Sequence, residues 1–138
     1  MAVHVLAVLA YKDGDPVSSG FLSESVNTNP VIIRRLLGQL QQARLVETRR
    51  GPRAGSRLSR SAGRINLAEV YRAISGRRLF AMPRRRPNTL CPVGHCIRAA
   101  LEPVFFSAEG ALERDLGQTT LAALLAAMET AASMGQRR

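Results

Sequence analysis

Aromatic side chains make up only 4% of the sequence. That scarcity argues against a reader of single-stranded RNA, which needs exposed rings for bases to stack on. Cysteine is as scarce, with Cys91 and Cys96 the only two. In a chain without an export signal this excludes a disulfide framework. No window holds about eighteen uninterrupted apolar residues, the length a membrane span needs. The apolar run from Val3 to Ala10 contains His4 and has neither a basic leader nor a cleavage pattern. A cytoplasmic protein with no membrane partner is therefore expected. A nucleophile with its base and orienting acid is also missing: Cys91 and His95 have no recognisable partner motif, so no enzyme is expected.

What the sequence has in excess is positive charge. Lys and Arg number 20 against 10 acids, a formal charge of +10 over 138 residues, which suits phosphate backbones or other anionic surfaces. Between Arg34 and Arg64 lie nine arginines, opposed only by Glu47. A surface that serves solubility mixes both signs. Arginine, moreover, forks onto phosphate or guanine where lysine acts as a point charge. Charge alone does not choose among these partners; with the chain's predicted elements added, double-stranded DNA is the expected one and an RNA-associated basic protein the alternative.

The length fits one DNA-binding unit with an appended segment. Ala2 to Tyr11 predicts a short buried helix in which His4 is structural, followed by a turn at Asp13, Gly14, Asp15 and Pro16. Ser18 or Ser19 can cap a second helix that carries Leu22 and Val26 on one face. Asn27 tolerates a left-handed turn, Asn29 can cap, and Pro30 fits a first helical position. The third helix is predicted from Pro30 to about Arg44. There Ile33, Leu36, Leu37 and Leu40 form a buried stripe, and Val31, Arg34, Arg35, Gly38 and Gln42 lie opposite. Two short helices with the second basic near its start match a helix-turn-helix.

Leu45 to Arg50 then reads as a strand, Gly51 to Gly55 as a turn, and Ser56 to Ser59 as an antiparallel return. The small, arginine-rich tip lets backbone approach a phosphate while Arg53 reaches into a narrow minor groove. Asn66 and Glu69 have capping-box spacing ahead of a helix whose inward residues would be Leu67, Val70 and Ile74. From Ser75 to Leu90 the chain reads as an irregular linker holding Gly76, Pro83 and the run Arg84, Arg85, Arg86. Two helices are expected after it, Pro92 to Phe106 and a longer one from Ala108 to Met134. In the longer one Leu112, Leu116, Leu121, Leu124, Leu125 and Met128 form a broad stripe suited to dimerisation. The fold class is mainly α with a small β-hairpin: a winged-helix DNA-binding domain over 1–75, a linker and cysteine-bearing helix over 76–107, and a dimerisation helix and tail over 108–138.

Three stretches resemble the Rrf2 family of bacterial transcription regulators, and the likeness covers nearly the whole chain. They are Asn29-Pro30-Val31-Ile32-Ile33-Arg34-Arg35-Leu36-Leu37, Leu45-Val46 leading to Arg50-Gly51-Pro52-Arg53-Ala54-Gly55-Ser56-Arg57-Leu58, and Cys91-Pro92-Val93-Gly94-His95-Cys96. The resemblance implies a homodimeric winged helix crossed by a long C-terminal helix, with the third helix in the major groove and the wing in the minor groove. It implies that Asn29, Arg34 and Arg35 face bases or phosphates and that Arg53 sits at the wing tip. With Ser19, Thr28, Val31, Arg50 and Arg57, these are the candidate DNA-binding residues. A repressor of palindromic operators is the expected function. The sequence departs from the family at the wing, where Ala54-Gly55-Ser56 replaces Gly-Gly-aromatic. It departs again in having two cysteines where cluster-binding members have three. It is similar to the cluster-free branch, so no cofactor and no metal are expected.

Cys91 precedes Pro92, so its sulfur is expected at a helix N-terminus near Arg85, Arg86 and Arg98, surroundings that favour thiolate and oxidation. Residues five apart on a regular helix point about 140° away from each other. A disulfide between Cys91 and Cys96 therefore requires either an unwound segment before Gly94 or two subunits. Redox sensing, simple packing beside a ligand pocket, and a metal held with His95 are the readings open for this pair.

Overall fold

Helix α1 (Ala2–Tyr11) is apolar on most sides because it runs through the middle of the fold, with Val5, Leu6 and Leu9 out of contact with solvent. The computed structural model describes residues 1–52, 54–75, 79–80, 85 and 87–135. After the turn, the Ser18 hydroxyl accepts a bond from the Phe21 amide at 3.2 Å and caps α2 (Ser19–Val26). Asn27 ends that helix in the left-handed region, φ 55° and ψ 58°, a conformation asparagine tolerates better than most residues. Asn29 Oδ1 then accepts from the Val31 amide at 2.8 Å, and Pro30 opens α3 (Pro30–Gln42) at a position that needs no amide proton. Ile33, Leu36, Leu37 and Leu40 are its buried stripe, each burial stabilising by about 1.5–3 kcal/mol relative to exposure. The helix stops two residues short of the expected Arg44, which itself turns left-handed at φ 56°.

Strands β1 (Val46–Arg49) and β2 (Gly55–Leu58) pair antiparallel, with Glu47 opposite Arg57 and Thr48 opposite Ser56. On its other edge β2 exchanges two backbone bonds with Val17, Val17 N to Ser56 O at 2.9 Å and Ser56 N to Val17 O at 2.8 Å. The hairpin is thus tied to the segment that leads into α2. Gly55 is required there, since a Cβ would lie 2.9 Å from Pro16 carbons and the Val17 nitrogen.

Helix α4 (Leu67–Ile74) starts with the expected capping box: Asn66 and Glu69 satisfy each other's backbone amides. Its inward residues are Ala68 and Val70. Leu67 is half-buried and Ile74 is 40% exposed, because α4 lies against the C-terminal end of the next helix, where Ala68 faces Gly117. That helix, α5, is continuous from Pro92 to Gly117, and α6 covers Leu121–Gly135. The break expected near residue 107 lies instead at 118–120, within the stretch assigned to the dimerisation helix. Pro103 lies inside α5 and withholds one backbone bond without ending it. At the true corner, the Thr119 carbonyl accepts from the Leu67 amide at 3.0 Å, and the Leu121 amide donates to the Ile65 carbonyl at 2.8 Å. These two bonds bring α6 back against α1.

Candidate nucleic-acid interface

The start of α2, the exposed side of α3 and the wing enclose a groove of about 360 Å³. Ser18 and Ser19 form one wall, Arg34 and Gln41 rise from α3, and Thr48 and Arg49 come from β1. Two guanidiniums and several hydroxyl and amide groups thus face one concavity, and its lining holds no carboxylate. That composition suits a phosphate backbone.

The remaining predicted residues distribute around this groove. Arg35 and Val31, the latter 63% exposed, stand on the open side of α3 with Asn29 at its tip. Val31 offers a methyl-contacting surface, and Arg34 and Arg35 offer forks for phosphate or guanine. Thr28 and Ser19 are half-buried, and Arg50 is exposed at the end of β1. Arg57 is occupied in part, since its Nε donates to Glu47 Oε1 across the hairpin. Arg53 lies outside the described residues, as do Gly76, Pro83, Arg84 and Arg86 of the expected linker. Gln41 and Arg49 were not singled out from the sequence. Gln41 sits two turns beyond Arg34 on the same face of α3, and the folded hairpin brings Arg49 in beside them.

Not every arginine of the basic run joins this face. Arg60 Nη2 donates to Glu69 Oε1 at 2.6 Å. Burial alone would raise the Glu69 pKa, but the Asn66 amide, the Arg60 bond and charge, and the Arg72 charge together outweigh it and hold the carboxyl below its ordinary value. This pair braces α4 against the segment after the wing.

Cys91 is the N-cap of α5, its amide donating to the Asn88 carbonyl at 3.2 Å, while Cys96 lies one turn into the helix. Both are free and exposed, and Cys91 stands outside the helix proper. Leu121, expected at a pairing face, is fully buried within its own chain. Leu125 packs against the same core, and Met128 lines a pocket against α1 and α2. Leu112, Leu116 and Leu124 are half-buried. Among the described residues no helix is long and apolar enough to cross a membrane.

The model of the Rrf2 family, described as iron-dependent transcriptional regulator, matches residues 1–127. A Bacillus subtilis protein named "Putative HTH-type transcriptional regulator YwnA" is 35% identical over 121 residues, which is 88% of this chain and 89% of that protein. A crystal structure described as "a putative DNA binding protein" superposes with a TM-score of 0.72 at 33% identity, covering 90% of this chain and 95% of the other. The structure of "a putative transcriptional regulator" from Lactobacillus plantarum shares the fold with a TM-score of 0.78 at 24% identity, covering 99% and 92%. The family description names iron, but the donor set here does not fit an iron centre held by one chain. The sequence has two cysteines, and among the described residues no three His, Cys, Asp or Glu side chains are grouped to hold a metal ion.

Proposed function

The chain belongs to the Rrf2 family of DNA-binding, helix-turn-helix transcriptional regulators, and from that premise we propose that it is a homodimeric repressor of palindromic operators. Each copy inserts the start of α3 into a major groove, with Asn29, Val31, Arg34 and Arg35 toward the bases and adjoining phosphates. The phosphate backbone runs through the groove beside α3, held by Ser19, Arg34 and Arg49, and the wing with Arg50, Arg53 and Arg57 follows the minor groove. The observation that supports this most is the carboxylate-free concavity in which Arg34 and Arg49 converge with the start of α2.

Pairing is through α5. Val93, Ile97, Ala100, Val104 and Ala111 fall within about 60° of one another at 100° per residue. All five are exposed, Val93 at 66% and Val104 at 59%. Leu112 and Leu116 lie to one side of the stripe, about 100° and 140° round the helix from Val93. Since α5 is helical from Pro92, repression is relieved when the exposed thiols of Cys91 and Cys96 are oxidised to disulfides between the two copies, each bond losing two electrons and two protons to a peroxide-class oxidant, or when a small ligand binds. Selecting genomic fragments with the purified protein under reducing and then oxidising conditions tests the reading. The expected motif is a palindrome with half-sites about 34–36 Å apart, recovered only from reduced protein. Fragments recovered without sequence preference would overturn it, and a motif unchanged by redox state would remove the thiol switch.

A further inference from the structure

Helices α1, α2 and α6 enclose a second pocket, of about 270 Å³, and we propose that it binds a small aromatic carboxylate. Its walls are apolar: Val8 from α1, Phe21 from α2, and Leu125 and Met128 from α6. Besides the exposed Tyr11, three polar side chains line it. The Lys12 ammonium lies 5.0 Å from the centroid of the Phe21 ring, and His4 Nε2 and Ser25 Oγ are 3.3 Å apart.

Concave, mainly apolar surface with a few placed polar groups is the general form of a small-molecule site, and the volume limits the occupant to about one ring with a short substituent. The lining has one ammonium and no carboxylate. Among the described residues Lys12 pairs with no acid. At present the cation rests over a partly exposed aromatic face, a contact of about 0.5–1 kcal/mol at such sites. A ligand carboxylate is a stronger partner for it, and its ring would stack on Phe21, with the flexible Met128 thioether adapting to its outline. The His4 and Ser25 pair supplies one hydrogen bond to a ring substituent. The site lies behind the helix-turn-helix, since α2 is at once its wall and the support of α3. A ligand that binds one α2–α6 arrangement better than another changes DNA affinity by that difference, a consequence that rests on the DNA-binding reading. Binding itself does not.

Titration of the isotope-labelled full chain, without DNA, with benzoate and phenylacetate tests the site. Amides at 4–12, 21–25 and 125–128 should shift together and saturate, while those at 91–97 stay still. Benzyl alcohol should bind more weakly. Lys12→Met keeps the apolar stem and should weaken phenylacetate roughly tenfold, the worth of one hydrogen bond to a charged group. Because Lys12 is exposed, the variant should fold as the parent does, which circular dichroism checks. The proposal is overturned by still amides at millimolar ligand, by equal affinity for the alcohol, by an indifferent Lys12→Met, or by pocket amides that move only on dilution. The last result would mean that a second copy of the chain fills the pocket.

Discussion

Asn29 meets two demands at one position. Its Oδ1 caps α3 at 2.8 Å from the Val31 amide, and its exposed side chain stands at the tip of the helix proposed to enter the groove. The two roles separate by substitution. Asn29→Asp keeps the acceptor, and a carboxylate also complements the positive end of the helix, so the thermal midpoint should not fall. Facing phosphate, the same charge should weaken duplex binding by about 1–3 kcal/mol. Asn29→Ala should instead cost about 1 kcal/mol of stability. Thermal unfolding and duplex titration on both variants read the two effects independently, and loss of stability in the aspartate variant would refute the assigned cap.

Gly55 shows what a sequence conceals at this same scale. A Cβ there meets Pro16 and the Val17 nitrogen at 2.9 Å, and both edges of β2 are already bonded, so the backbone has no easy retreat. Gly55→Ala should destabilise by about 1–3 kcal/mol, as overpacking does, measured by denaturant midpoint; an unchanged midpoint would show that the wing base yields. Asn27, Asn29 and Pro30 were legible because helix ends obey rules spanning two or three residues. The constraint on Gly55 comes from residues nearly forty positions earlier, and nothing near it in sequence marks that. Arg49 was likewise hidden, since it reaches Arg34 only through the pairing of β1 with β2.

Among the elements, α4 is held by charge as well as by its buried Ala68 and Val70. Glu69 serves the capping box and the Arg60 pair together, and its pKa is lowered in the fold. A depressed carboxyl stabilises above its unfolded value of about 4.3, and that contribution is lost as pH falls through the lower folded value. Glu69→Gln should therefore be less stable than the parent near neutrality, and the gap should narrow at acid pH, below the ordinary carboxylate range, as the parent carboxyl takes up a proton. Denaturant midpoints at neutral and acid pH check this, and a constant gap would show that charge plays no part. The C-terminal helices illustrate the limit of reading elements from pattern. One apolar stripe from Leu112 to Met128 looked like one helix, yet Gly117 lies just before the corner, and the Thr120 hydroxyl accepting from the Ala123 amide at 3.1 Å marks the start of another. Periodicity survives a corner that keeps the same side facing inward, so the cap was the better signal.

In the whole molecule, charge and pairing act together. A formal charge of +10 draws any duplex, with log affinity falling by about 0.9 per neutralised phosphate as log salt rises; that attraction belongs to one chain as much as to two. Selectivity for a palindrome needs two reading heads at fixed separation. A helix of 26 residues spans about 39 Å, enough for paired copies of α5 to set it. Val104→Glu places a carboxylate in the middle of the exposed stripe and removes nothing from the core. It should give a folded monomer by sedimentation. Duplexes with a single half-site should bind nearly as before at low salt, because the net charge falls by only one. Affinity for the two-half-site operator should drop by about 10²–10⁴, the contribution of linking two weak contacts. A variant that stays dimeric moves the interface away from α5, and a monomer that keeps full operator affinity removes the need for pairing altogether.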